Sequence, residues 1–416
     1  LETLDAAGIA ALNAATQRKN GFENIGQLID FTYNEDFFVH IPEVHNPREL
    51  GDYYLNKSGM VQMPAEWKNS IDLIAFGRNA AAQEKGSFTE YGYDGNNFNE
   101  AMSAALVAES EVYIPSGNYT LAKPLLIPSG RKITAAENAV ITAGDGCFTG
   151  GDYRACVSND YNEPDSRDIT VEGGVWDGNN ARNAREDWRH GPCTGVLFGF
   201  YGVTGLSLSG LTVKNSETYH FILSRVTDFK IENLIIDDEH RTLCQDGIHM
   251  GGGCKRGVIR NVIATTGATN DDLIALNADD AFDYRHNHYL FPEEISDITV
   301  ENVIAENCWT AVRMLSVDSP IRNVTLRNFT AGVREMGLNF DGTRYAGDRI
   351  FDPTDYPHGV GNIENVTFDN FLLWKTHEKE NPLCVIESNC RDAVFNNFMR
   401  DFSRDALRSE EHTSEL

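Results

Sequence analysis

Two short segments, Ile298-Thr-Val-Glu-Asn302 and Val324-Thr-Leu-Arg-Asn328, show the pattern that decides the fold of this 416-residue chain. Each reads as a strand of alternating residues, rich in β-branched side chains, that ends in asparagine. Related segments recur along the chain and end in Gly or Asn at positions 173, 210, 233, 261, 302, 328, 370 and 397. The shorter spacings between these positions are 23 to 28 residues, and the longer ones of 37 to 42 residues correspond to the same unit with an insertion.

A unit of this size cannot bury its apolar face alone, so successive units must stack on one another. Asparagine suits the bend after each strand, because it tolerates the left-handed backbone conformation and its side chain can bond to neighbouring turns. Helix-period patterning is absent from residues 105 to 400, which argues against strands alternating with helices. A β-sandwich would not explain the fixed period. The sequence therefore predicts an all-β chain that forms a right-handed parallel β-helix.

The chain divides into three predicted parts. Residues 1–96 do not repeat and are interpreted as an irregular and helical segment, with an Ala-rich amphipathic helix from Leu4 to Gln17. Residues 97–407 form the β-helix, which begins with a helix near Asn97 that covers the open end of the first turn. Residues 408–416 resemble the translation of a sequencing adapter, as in a contaminated metagenomic assembly, and are excluded from functional reasoning.

Composition narrows the function classes. The net charge of −27 disfavours nucleic acid or an anionic membrane as a partner, and no run of 18 apolar residues indicates a transmembrane helix. The eight cysteines lack a metal-type Cys-x-x-Cys spacing, and buried free thiols are favoured over Cys147–Cys156 or Cys384–Cys390 disulfides. We predict no cofactor and no metal. The chain starts at Leu1 without a signal peptide, which indicates a processed start, and we expect a secreted or periplasmic monomer.

Three acidic residues occupy matching places on successive units and are the candidate catalytic groups. They are Asp246 and the adjacent pair Asp271 and Asp272, each of which precedes a short apolar strand. If the units stack, the three carboxylates emerge on one face as a solvent-reachable cluster. Crowded carboxylates cannot all ionise freely, so one pKa rises while another stays low. This arrangement is typical of an acid–base hydrolase.

The order of motifs along the chain resembles the polygalacturonase family of inverting glycoside hydrolases. The likeness runs from about residue 97 to residue 397 and is carried by Gly174-Val-Trp-Asp-Gly-Asn179, Asn215-Ser-Glu-Thr-Tyr-His220, Asp246-Gly247 and Asp271-Asp272. The resemblance implies a pectin lyase-like solenoid and a polysaccharide substrate. It also implies that Asp271 is the general acid while Asp246 and Asp272 activate water, with carboxyl separations of about 6.5–9.5 Å as inversion requires.

Two motifs of that family are missing. Trp309-Thr-Ala311 stands where a Gly-His-Gly is expected, and Glu335-Met-Gly-Leu-Asn339 stands where an Arg-x-Lys would hold a uronate. We therefore expect an acidic or deoxy-sugar-containing polysaccharide, such as a pectic polymer, and not a dedicated polygalacturonan site.

Strand alternation suggests what compensates for the missing motifs. If Ile248 points inward, His249 points to the cleft, and the same register on later turns gives an outward column of His249, Ala275, Arg313 and Asn339. We predict that this column binds substrate, with Arg313 supplying the cationic function. Asn277 and His220 are further predicted contacts with the substrate.

Two other functions remain open on this sequence. A lyase or epimerase would use Lys or Arg as a base and a calcium ion on clustered acids, and Arg313 beside three aspartates is compatible with that chemistry. A non-catalytic solenoid that only binds glycans is the second alternative, because one fold hosts many functions. The insertion 277–289 is predicted to line the cleft, and its acids and histidines are interpreted as a solvated loop in preference to a cation site.

Overall fold

The computed structural model describes residues 44, 46–59, 61–83, 87–149, 155–161, 165–185, 194–265, 268–280, 290–342, 344–345, 348–349, 352–377 and 381–406. The chain separates into two compact units, Leu1–Glu84 and Lys85–Leu416. The helix predicted for residues 4–17, most of the predicted insertion at 277–289 and the tail at 408–416 lie outside the described residues. Within them, no helix combines the length and apolar character needed to cross a bilayer.

The first unit is helical where it is described. It contains α1 (Pro47–Asp52), a π-helix (Tyr53–Lys57), α2 (Ala65–Lys68) and α3 (Leu73–Gln83). Asn46 starts α1, because its side chain accepts a hydrogen bond from the amide of Glu49 at 3.0 Å. Helices α1 and α3 pack closely at Gly77, where a Cβ atom would lie 1.6 Å from the carbonyl oxygen of Pro47.

The second unit consists mainly of strands. Its helical segments are 3₁₀ turns at Phe88–Glu90 and Asn180–Arg182 and the helix α4 (Phe98–Ala108). Its strands are β1 (Glu111–Ile114), β2 (Gly117–Leu121), β3 (Leu125–Leu126), β4 (Lys132–Ala135), β5 (Ala139–Ala143), β6 (Val157–Ser158), β7 (Ser166–Glu172), β8 (Val175–Asp177), β9 (Phe198–Tyr201), β10 (Val203–Ser209), β11 (Thr212–Lys214), β12 (Phe221–Ser224), β13 (Thr227–Ile236), β14 (Ile248–Gly251), β15 (Lys255–Ala264), β16 (Asp272–Asn277), β17 (Ile295–Leu315), β18 (Ile321–Asp341), β19 (Arg344–Tyr345), β20 (Asp348–Arg349), β21 (Ile363–Lys375), β22 (Cys384–Ile386) and β23 (Cys390–Arg400).

Each strand pairs in parallel with its counterpart one turn later, which generates three sheets along a solenoid. The first runs β1–β4–β7–β10–β13–β15–β17–β18–β21–β23. The second begins β2–β5–β8–β11 and continues into the later halves of β13 and β15. The third runs β3–β6–β9–β12–β14–β16 and then through the ends of β17 and β18 to β22. The short pair β19–β20 is antiparallel. The predicted all-β parallel β-helix is confirmed.

The asparagines that defined the repeat form a ladder at one bend of the solenoid. Their backbone φ angles lie between 50° and 59°, in the left-handed region that few residues other than Gly and Asn adopt readily. From the second asparagine onwards, each side chain donates a hydrogen bond to the asparagine of the preceding turn at 2.8–3.1 Å, in the order Asn233, Asn261, Asn302, Asn328, Asn370 and Asn397. The ladder satisfies the polar side chains at the bend and fixes the register of successive turns.

The interior of the solenoid is filled by aligned apolar side chains. Aromatic rings stack between turns, as in Phe198 on Phe221 at 5.3 Å and Phe329 on Phe371 at 4.5 Å between ring centroids. At the first turn α4 forms the predicted cap, and the side chain of Asn99 bonds to the main chain at Ala122 and Lys123. The cysteines within the described residues are free thiols, and Cys193 lies outside them.

Candidate active site

Asp246 lies on the turn that leads into β14, and the preceding turn of the solenoid supports its backbone. The carbonyl oxygen of Asp246 accepts a hydrogen bond from the amide of His220 at 3.0 Å and lies 2.7 Å from Nδ1 of the same residue. The adjacent Gln245 donates from Nε2 to the carbonyl oxygen of Ser216 at 2.9 Å. The segment 215–220, which the sequence singled out as a motif, is therefore the support for this carboxylate.

The two turns that carry the carboxylates approach closely at Gly247. Its amide donates to the carbonyl oxygen of Asp272 at 2.9 Å. A Cβ atom at Gly247 would lie 2.4 Å from the carbonyl oxygen of Leu273, so a side chain there would push the turns apart. Because of this close approach, one oxygen from each of Asp246, Asp271 and Asp272 lies within 4.8 Å of the others.

Burial raises the pKa of all three carboxyl groups. Asp246 and Asp272 are each 3% exposed, whereas Asp271 is partly exposed, so the predicted solvent access is limited mainly to Asp271. Burial raises the pKa of Asp246 to about 6, although a hydrogen bond from His249 opposes the rise. Burial, together with a neighbouring carboxylate, raises the pKa of Asp271 and that of Asp272 to about 7.

His249 lies between two carboxylates. Its Nδ1 is 2.6 Å from Oδ2 of Asp246, and its Nε2 forms an ion pair with Oδ2 of Asp280 at 2.8 Å. Burial acts to lower the pKa of the imidazole, but Asp246 and Asp280 outweigh it and raise that pKa to about 10. His249 is therefore a buried imidazolium at neutral pH, and it favours the ionised form of Asp246.

Arg313 makes a similar bridge two turns further along the solenoid. Its Nη1 lies 3.3 Å from Oδ2 of Asp272, while Nε and Nη2 donate to Oδ2 of Asp341 at 2.9 and 2.6 Å. The guanidinium favours the ionised form of Asp272. Asp271 is different, because its carboxyl group has no hydrogen-bond or ion-pair partner within the described residues. Among the three acids, Asp271 is therefore the one best suited to hold a proton.

The predicted outward column has the register that alternation indicated. His249 is paired with Ala275, Ala275 with Arg313, and Arg313 with Asn339. His249 and Arg313 both lie beside the carboxylates, and Asn339 is partly exposed on the same face. His249 is nevertheless 2% exposed and engaged on both nitrogens, so it acts on the carboxylates and does not form an open part of the cleft wall.

Two predicted substrate contacts are wrong. His220 is completely buried, with Nδ1 against the carbonyl oxygen of Asp246 and Nε2 2.9 Å from Oδ1 of Asp238, so it supports the turn and cannot reach a substrate. Asn277 at the end of β16 is also completely buried. Neither polar atom of its side chain has a hydrogen-bond partner within the described part of the chain.

Three residues of the site were not assigned from the sequence. Asp280 and Asp341 are the second partners of the two cations. Arg334 is mostly buried and donates to the carbonyl oxygen of Thr269 at 2.8 Å and to Oδ1 of Asn270 at 3.0 Å, which are the two residues before Asp271. The sequence held a signal for two of them: Asp280 belongs to the insertion predicted to line the cleft, and Asp341 lies two residues beyond Asn339 on one strand and so shares its face.

The cluster also has the composition of a cation site. Asp246, Asp271 and Asp272 are the group within the described residues whose oxygens are spaced closely enough to ligate one ion. His249 and Arg313 already supply two positive charges to these carboxylates. The chemistry of the donor set therefore fits protons shared among three acids, and no role for a metal is needed to explain the geometry.

Comparisons with known proteins relate the part of the chain that carries the three carboxylates to a known family. Residues 162–289, which include all three carboxylates, match the family model described as glycosyl hydrolases family 28. The chain is a distant relative of that family. Residues 2–95 match a different family, the antirestriction protein ArdA, and the residues that match family 28 lie within the second unit. No curated protein matches the sequence.

Solved structures share the fold of this family 28 relative. The family 28 exopolygalacturonase of Yersinia enterocolitica is similar over 77% of this chain and 66% of its own, with 16% identity and a TM-score of 0.55. A GH82 iota-carrageenase from A. fortis is similar over 80% of this chain and 93% of its own, with 12% identity and a TM-score of 0.52. At these identities the likeness shows the right-handed parallel β-helix and nothing finer.

Proposed function

We propose that the β-helix unit is a glycoside hydrolase that cleaves a polysaccharide by acid–base catalysis. Asp271 protonates the leaving oxygen, while Asp246 and Asp272 activate water. The observation that carries this assignment is the difference in partners among the three acids. His249 contacts Asp246 and Arg313 contacts Asp272, and each cation opposes the rise in the pKa of its partner, whereas Asp271 has no hydrogen bond or ion pair with a cation within the described residues and is therefore assigned the proton.

We propose inversion as the stereochemical course, in line with the sequence resemblance. The nearest oxygens of the cluster lie within 4.8 Å, which is less than the expected separation of about 6.5–9.5 Å and near the value of about 5–5.5 Å typical of retaining enzymes. That short spacing favours, as a second candidate, a double displacement with one aspartate as nucleophile. In an inverting mechanism, Asp246 and Asp272 would together hold the attacking water. The water would then not have to fit between a single acid and a single base.

The substrate class proposed is a pectic or related polysaccharide that contains acidic or deoxy sugars. Support comes from the family 28 match across the carboxylates. Such polymers are too large to cross a membrane, so we also propose that the protein works in a secreted or periplasmic setting. The lyase alternative finds less support, because Arg313, its candidate base, is held by Asp272 and Asp341.

The test is a panel of pectic and neutral polysaccharides, scored for new reducing ends and for ultraviolet-absorbing unsaturated products. We expect reducing ends without unsaturated product, and a loss of about 10²–10⁴-fold in kcat for Asp271→Asn. Proton NMR of the first-formed anomer then separates inversion from retention. Unsaturated product would establish a lyase, and unchanged turnover in Asp271→Asn would remove that residue from the mechanism.

A further inference from the structure

The guanidinium of Arg313 is engaged by acids of the protein itself. Two of its nitrogens donate to the same oxygen of Asp341, at 2.6 and 2.9 Å, and a third lies 3.3 Å from Asp272. The side chains of Arg313 and Asp341 are 13% and 11% exposed, so solvent competes little with the pair. An incoming anion would have to displace Asp341 before it could bind Arg313.

The surroundings of this pair are strongly acidic. Five carboxyl groups and two cations make up the described cluster, namely Asp246, Asp271, Asp272, Asp280 and Asp341 with His249 and Arg313. Both cations already contact two carboxylates each. A uronate carboxylate at this place would meet repulsion, since like charges disfavour one another most where water is excluded.

The end of β18 next to Arg313 offers no further cation, because Arg334, earlier on this strand, is engaged by Asn307, Thr269 and Asn270. Asn339, which is paired with Arg313, and Asp341, which is paired with Leu315, occupy adjacent outward positions there. Together they offer an amide and a carboxylate. Such groups accept hydrogen bonds from sugar hydroxyls, whereas a uronate requires a fixed cation, ideally an arginine whose fork binds both oxygens.

We infer that Asp341 is a specificity-determining residue that occupies Arg313 and restricts the subsite beside Asp272 to a neutral sugar residue, such as a hexose or a 6-deoxyhexose. This inference rests on the proposed hydrolase function. In a polymer that contains both acidic and neutral sugars, the neutral residue takes the position next to the cleaved bond. Any acidic residues lie at more distant subsites.

The experiment compares polygalacturonate and a branched pectic polymer with their carboxyl-reduced forms, which keep linkage and length but lose the charge. For the wild-type protein we expect a kcat/KM at least tenfold higher on the preferred carboxyl-reduced polymer than on its charged parent. Asp341→Asn keeps the shape but removes the negative charge that occupies two nitrogens of Arg313, so the ratio should shift at least tenfold towards the charged polymer. Asp369→Asn, which removes one acid from the first sheet, is the matched control and should leave the ratio unchanged.

Each result decides one of the two proposals. A wild-type preference for the charged polymer, or an unchanged ratio in a folded Asp341→Asn, overturns the neutral subsite while the hydrolase function stands. The wild-type ratio remains decisive if Asp341→Asn fails to fold. If no polymer is cleaved, the hydrolase function fails, and calorimetric binding of the same polymers to the wild-type chain still tests the subsite. Tighter binding of the charged form would overturn it.

Discussion

At the scale of single residues, the three aspartates of the site differ in the side chains that contact their carboxyl groups. Asp246 contacts a buried imidazolium, Asp272 contacts a guanidinium, and Asp271 contacts neither. The two ion pairs are largely shielded from water, so the partners strongly bias the protonation states. An acid and a base can therefore coexist within 4.8 Å of each other.

The first prediction concerns the pH dependence of catalysis. Water activation needs ionised Asp246 and Asp272, whose pKa values are about 6 and about 7, so kcat/KM should fall on the acidic side of these values. Leaving-group protonation needs a protonated Asp271, whose pKa is about 7, so the rate should fall again above that pH. We expect a narrow bell with its maximum between these values, and the two apparent pKa values belong to the cluster as a whole.

The control for this profile is Asp271→Asn. Its residual activity should lose the alkaline limb and keep the acidic one, because the group that must stay protonated is gone. A broad plateau to pH 9 in the wild-type enzyme would contradict the assignment of Asp271 as the acid.

At the scale of elements, Arg334 on β18 ties three successive turns together. Its guanidinium bonds to Asn307 one turn back and to Thr269 and Asn270 two turns back, immediately before Asp271. It also lies over the ring of Trp309 at 5.7 Å from the centroid. We therefore expect Arg334 to be a positioning residue for Asp271, the proposed general acid, through the backbone that carries it.

We predict that Arg334→Lys lowers kcat about tenfold and leaves KM nearly unchanged. Lysine keeps the positive charge but lacks the planar fork that reaches two turns at once. The alkaline limb of the pH profile should also shift, because Asp271 moves relative to its neighbours. A variant with wild-type kcat and an unaltered pH profile would show that Arg334 serves packing alone.

The asparagine ladder gives a second prediction at this scale. Asn302 has a φ of 59°, donates to Asn261 and accepts from Asn328. Asn302→Ala should lower the free energy of unfolding by about 1–2 kcal/mol, since it adds left-handed strain and removes hydrogen bonds. Asn302→Gly removes the same bonds without the strain and should cost less in urea titration. Equal losses for both variants would mean that backbone strain contributes nothing.

At the scale of the whole molecule, the site makes stability depend on pH in an unusual direction. The raised pKa values of the three aspartates mean that the folded state binds more protons than the unfolded state between about pH 4 and 7. Stability is therefore lost as pH rises through that range. His249 adds stability that is complete below about 6.5 and is lost as pH rises through about 10.

We predict that the free energy of unfolding is greatest in mildly acidic solution and decreases towards pH 10, with His249 contributing on the order of a few kcal/mol. The net charge of −27 works in the same direction. Urea unfolding at several pH values measures the slope. His249→Gln should flatten the part between pH 7 and 10, and a wild-type stability that rises over that interval would contradict the charged state of His249.

The sequence by itself determined the solenoid, the place of the three aspartates and the outward column. These follow from local rules, because side-chain alternation has period two and the left-handed bends select asparagine. Stacking then converts a matching position in the repeat into proximity in space. For the same reason, the match of Asp246 with Asp271 and Asp272 predicted a cluster.

Only the tertiary structure decided what each of these residues contacts. His220 and Asn277 have polar side chains that suit a cleft, yet the folded chain buries both completely. Asp280 and Asp341 became partners of His249 and Arg313 because segments distant in sequence meet at the third sheet. Ion pairs and burial depend on three-dimensional neighbours that no repeat encodes. Those neighbours set the protonation of the acids and thereby the chemistry proposed for them.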